Sequence, residues 1–145
     1  MLMFGRRLHK PVSLHLLVTL LYLAVPLSAN PQKLQFVTVH EETLRRYAVE
    51  VVNPSYPQRA VKRSAQGVAV IQLDVNEQGS VSRAEVLEAP DPLISEAVAA
   101  AVKKWKFKPP TIRGSAVPIR GKLTFYYMIK DGKGRVENPR QFRQS

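Results

Sequence analysis

The 145-residue sequence contains no cysteine. That excludes a disulfide framework, a thiolate metal site, a cysteine nucleophile and a lipidated cysteine. Histidine is almost as scarce. His9 and His15 fall within the first 29 residues, which leaves His40 and no multi-histidine metal site. Ser64, Ser80 and Ser82 have no histidine partner in a recognisable motif. No glycine-rich phosphate loop exists, because Gly132 and Gly134 sit in a turn with no helical pattern after it. Asp74 and Glu85 read as surface acids beside Arg83 and Lys122, not as a catalytic pair. The expectation is therefore a protein that is not an enzyme and that uses no cofactor and no metal. Acid is also short, with 11 Asp+Glu against 22 Lys+Arg and a net charge of +11. Arg6, Arg7 and Lys10 lie in the first 29 residues, so the remainder carries 19 bases against 11 acids, or +8. A charge of that size suits an anionic surface, an acidic peptide or nucleic acid.

Residues 1–29 have the form of a secretory leader. Arg6, Arg7 and Lys10 make a positive start, Leu14 to Val25 an apolar run, and Pro26 with Leu27-Ser28-Ala29 a small-residue end before Asn30. The alternative is a short inner-membrane anchor. The 16 residues from Val12 to Leu27, broken by Ser13, His15, Thr19 and Pro26, fall below the span of about 20 apolar residues that a membrane needs. Both readings put the rest of the chain outside the cytoplasm, because the positive end stays inside. That sets nucleic acid aside as a partner.

Residues 30–52 are the least determined segment. Gln35 to Val39 suits a short strand. Glu41 to Val52 suits a helix with Leu44, Tyr47, Ala48 and Val51 on one face, capped by Thr38 or Thr43. The same segment also reads as a linker. Asn53-Pro54-Ser55-Tyr56-Pro57 is a break, and Pro57 suits the first turn of a short helix running to Ala65.

The patterns then become regular. Gly67 to Val75 alternates as a strand, Asn76 to Gly79 makes a turn, and Ser80 to Glu88 is the return strand. The phase slips between Val81 and Ala84, which is the mark of a β-bulge. Asp91 suits a helix N-cap and Pro92 the first helical position. Leu93, Ile94, Ala97, Val98, Ala101, Val102 and Trp105 make one apolar stripe. Trp105 therefore reads as core. Lys103, Lys104, Lys106 and Lys108 read as a solvated helix end that complements the dipole. Phe107 to Pro110 turns the chain toward a last strand, Ile119 to Ile129. Ile119, Gly121, Leu123, Phe125, Tyr127 and Ile129 form its inward phase; Tyr126 and Met128 face out, either as an exposed interaction surface or under cover of the tail or the N-terminal helix. Asp131 to Gly134 is a turn, and residues 131–145 read as a basic tail.

The Tyr56-Pro57 box with Ala60, the hairpin through Asn76 to Val81, and the helix ending Ala-Val-Lys-Lys-Trp-Lys-Phe-Lys-Pro (Ala101 to Pro109) occur here in that order. Together they resemble the TonB C-terminal domain family, the periplasmic modules of energy transducers, over residues 53–130. The resemblance implies an α+β fold of order α-β-β-α-β. A small three-stranded antiparallel sheet would carry helices on one face. It implies a periplasmic protein-binding module in TonB-dependent transport, or an inner-membrane-anchored one facing the periplasm. An outer-membrane receptor segment would add as a strand to the sheet edge. Asn53, Tyr56 and Pro57 are the site residues that the resemblance implies. Leu123, Thr124, Phe125, Tyr126, Tyr127 and Met128 are the partner-binding edge if the last strand lies outermost. Two other roles use the same chain differently. One is a homodimer paired through that edge; the other is a basic binder of anionic envelope components. The sequence departs from a full transducer. Only 24 residues separate Ala29 from Pro54, and Pro31 is their one proline.

Overall fold

The computed structural model describes residues 35–139. The leader or anchor expected at residues 1–29 lies outside the described residues. Among the described residues no helix is long and apolar enough to cross a membrane.

Three antiparallel strands form the centre of a mixed sheet. They are β3 (Gly67–Val75), β4 (Val81–Glu88) and β8 (Ile119–Lys130), with β3 in the middle. The register of β3 against β8 runs unbroken from Gly67↔Tyr127 to Val75↔Ile119. The register of β3 against β4 shifts twice, near Val70/Ile71 and near Asp74/Val75, so the expected bulge is present and has a second copy. The turn before β4 needs Gly79, whose φ is +80°. A Cβ there would lie 1.9 Å from the Phe107 carbonyl oxygen, so only glycine fits.

The helix α3 (Pro92–Val102) starts as its sequence suggests. The Asp91 carboxylate accepts from the Leu93 amide at 2.8 Å, and Pro92 opens the first turn. Its stripe of Ile94, Val98, Ala101 and Val102 is buried on one face of the sheet against Ile71, Leu73, Leu123 and their neighbours. Trp105 follows the helix and is 1% exposed, packed edge-on to Phe125. Its indole N–H donates to the Val52 carbonyl at 2.8 Å and so ties down the segment before Asn53. The lysines that follow, at 103, 104, 106 and 108, are all exposed.

Four expectations are revised. First, the helix α1 (Glu41–Tyr47) stops five residues early, and its N-cap is His40, which makes no side-chain cap. The chain then extends as β2 (Ala48–Glu50) and pairs with β5 (Lys106–Phe107). Val49, Val51 and Val52 are β-branched and favour the extended form once a partner strand is available. Second, Pro57 is the N-cap of the short helix α2 (Gln58–Lys62) and not its first residue. Third, the exit loop contains a small hairpin of β6 (Thr111–Ile112) and β7 (Ser115–Ala116) around Arg113-Gly114. Fourth, the segment after Asp131-Gly132 is not only a tail. It turns back at once as β9 (Lys133–Glu137) and pairs with the end of β8. With β1 (Val37–Thr38), which lies parallel to β8, the sheet has five strands around the three expected.

Candidate functional site

A partner strand can add only where a strand edge presents backbone N–H and C=O groups. In β8 the even-numbered positions point these groups away from β3. The Val37 amide donates to the Pro118 carbonyl at 2.9 Å, and the Val39 amide to the Arg120 carbonyl at 2.8 Å. Farther along, Tyr126 and Met128 face Glu137 and Arg135 of β9. The outer edge of β8 is therefore covered at both ends by this chain's own short strands. The last strand is not outermost, contrary to the condition set for the partner-binding edge.

Between those two covers lies Thr124, and there the cover is made of side chains. The Thr124 amide donates to Glu41 Oε1 at 2.8 Å, and its hydroxyl donates to Glu41 Oε2 at 2.8 Å. The Arg45 guanidinium donates to the Thr124 carbonyl at 2.9 Å. Glu41 and Arg45 sit one turn apart on α1 and pair with each other at 2.6 Å. Arg45 is 5% exposed, lies 5.6 Å over the Phe125 ring and donates to the Asn138 side chain just after β9. One buried cation thus links the helix, the strand edge and the end of the β9 hairpin.

The helix can lie this close because of Gly121. A Cβ there would sit 2.9 Å from Leu44 Cδ2 and 3.1 Å from the Val39 carbonyl oxygen. Leu44 is fully buried in the space that the missing side chain leaves. An apolar-phase glycine inside a strand signals a close approach of this kind. Glu41 and Arg45 were not among the expected site residues. Their spacing of four, acid before base, is the signal that could have found them.

The expected site residues separate into groups. Leu123, Phe125 and Tyr127 are buried, and their backbone groups face β3, so a partner cannot reach their side chains. Thr124, Tyr126 and Met128 lie in the outward phase; Tyr126 is 39% and Met128 38% exposed. Asn53 is exposed on the loop that Trp105 anchors. Tyr56 is half-buried beneath β9, with its ring against Gly134 and edge-on to Tyr127 at 5.0 Å. Its hydroxyl donates to the Ala65 carbonyl. Burial, and then the charge of Asp91, raise the Tyr56 pKa. Tyr127 is raised much further, by burial first and then by Tyr56. Neither phenol is poised for chemistry near neutral pH. Among the described residues no cluster of His, Asp and Glu could hold a metal ion.

The model of the Gram-negative bacterial TonB protein C-terminal family matches residues 52–129. The chain belongs to the TonB C-terminal family. The fold agrees: the solution structure of the TonB C-terminal domain of Pseudomonas aeruginosa is similar at a TM-score of 0.50 and 25% identity. That match covers 58% of this chain and 86% of the Pseudomonas chain. No curated protein matches this sequence. This is a TonB-like domain of TonB-dependent transport. TonB C-terminal domains are periplasmic, non-enzymatic, and interact with outer-membrane receptors by strand pairing. The strands β1 and β9 and the whole of α1, which cover the β8 edge here, lie outside the matched span.

Proposed function

We propose that this domain is a non-enzymatic periplasmic binding module that takes up an extended segment of an outer-membrane receptor on the outer edge of β8. The observation that supports it is Thr124. Both of its backbone groups face away from the sheet and are met by side chains, not by a strand. An entering strand offers one carbonyl and one amide in the same places, so backbone pairing there exchanges like for like. Tyr126 and Met128 follow that position in the same outward phase and would contact alternate side chains of the guest. Asn53 and the Tyr56-Pro57 turn would shape the approach from the side of β9.

The test is a titration of a synthetic receptor N-terminal segment against the full chain and against Thr124→Pro. Proline removes the outward amide without breaking the β3 ladder. Binding is expected to fall at least tenfold while the thermal transition remains cooperative. Undiminished binding to Thr124→Pro would show that the edge of β8 is not the docking strand. Sedimentation at several concentrations accompanies it, because a mass that rises with concentration would point to self-pairing.

A further inference from the structure

Glu41 and Arg45 do together what a neighbouring strand residue does alone. A carboxylate only accepts and a guanidinium only donates. At Thr124 the first takes the amide hydrogen and the second gives to the carbonyl. A bare edge would need water or another strand there. We propose that residues 37–47 are a strap that competes with the guest strand, so that the domain rests closed and opens by lifting α1 from β8. This rests on the strand-addition reading and adds its regulation.

Three features suit the strap to reversible use. Glu41 and Arg45 are paired within α1, so the pair travels with the helix and opening strands no charge in the sheet. Leu44, seated over Gly121, is the strap's one fully buried apolar residue, and Val39 and Tyr47 pack half-buried beside it. The strap pivots at its last residue, where the Tyr47 carbonyl accepts from the Lys108 amide at 2.7 Å, and β2 just beyond it pairs with β5. Lifting residues 37–47 thus leaves the body of the domain in place. The Arg45 contact to Asn138 runs to the other cover, so releasing α1 also loosens the end of β9. The chemistry restricts the guest as well. In an antiparallel guest the residue opposite Thr124 must offer both an amide and a carbonyl, which excludes proline at that position.

The experiment compares the full chain with Glu41→Ala and with the milder Glu41→Gln, which keeps an acceptor oxygen. Amide hydrogen exchange and the affinity of the same synthetic receptor segment are both read. Exchange at Thr124 is expected to rise at least tenfold in Glu41→Ala, and less in Glu41→Gln, while Ile71 and Leu123 keep their protection. Affinity for the segment is expected to rise at least fivefold, because the guest no longer displaces a bound competitor. Unchanged Thr124 exchange in both variants overturns the strap. Faster exchange with equal or weaker segment binding overturns its competition with the guest and leaves strand addition standing. If neither wild type nor variants bind the segment, the strand-addition reading fails, and the inhibition falls with it.

Discussion

The two long edges of this sheet are defended in different ways. The edge of β4 has no strand on its outer side among the described residues. Two register shifts bend it, and the exposed charges of Arg83, Glu85 and Glu88 line it. Ala84 sends its amide outward, since Arg83 and Glu85 pair with Asp74 and Gln72 across β3. Bulges and charges are the usual protection of an edge that is meant to stay unpaired. The edge of β8 has no register shift against β3, and its charges, Arg120, Lys122 and Lys130, lie toward its two ends. It runs in unbroken register over nine paired residues and carries Tyr126 and Met128 exposed beside it. A straight edge of that kind pairs readily, and here it is covered by β1, by Glu41 and Arg45, and by β9. The contrast teaches that β4 is shaped to be left alone, whereas β8 is shaped to pair and is held in reserve.

The contrast can be broken most forcefully at the β8 cover. Leu44→Ala removes a fully buried side chain from over Gly121 and is expected to destabilise the domain by about 3 kcal/mol. Chemical denaturation measures it, and a loss below about 1 kcal/mol would mean that α1 is not packed on the sheet. A smaller effect comes from pH. Tyr127 has its pKa raised above the ordinary value of 10.0, so its neutral form is favoured in the folded state. Its contribution is complete below the unfolded value near 10 and is lost as pH climbs from there toward the folded value. Thermal melts from pH 9 to 11 should show stability flat and then falling. A Tyr127→Phe variant should lose part of that fall. The smallest effect belongs to the other edge. Leu87 on β4 is 46% exposed, and Leu87→Lys is expected to stay within about 0.5 kcal/mol of wild type, with no change in guest binding. A binding loss there would erase the distinction between the edges.

The centre of the fold was legible because each of its signals is local. Asp91-Pro92 announces the start of α3, the alternation from Ala69 to Val75 announces β3, and the stripe ending at Trp105 announces the packed face. The cover was not legible, because its parts are structured by what they touch. Lys133 to Glu137 holds a single apolar residue, Val136, and becomes a strand only by pairing with β8. The helical period from Glu41 continues past Tyr47 in the sequence, yet pairing with Lys106-Phe107 and the Trp105 bond to Val52 hold the chain extended. Long-range partners override local propensity in both places. The strand β8 itself was legible in its alternation, but it does not lie outermost as the edge reading required. Cover by the tail or the N-terminal helix was one of two readings of Tyr126 and Met128; the part played by Glu41 and Arg45 was not foreseen, although Gly121 and their spacing carried the hint.

The account is tested most directly by placing a photo-cross-linking amino acid at Tyr126 beside the β8 edge and, in a second variant, at Leu87 beside the β4 edge. Both side chains are exposed, so neither substitution disturbs the core. Irradiation of cells that carry the full chain is predicted to give a cross-link to an outer-membrane receptor from position 126 and none from position 87. A receptor cross-link from position 87 alone would contradict the account.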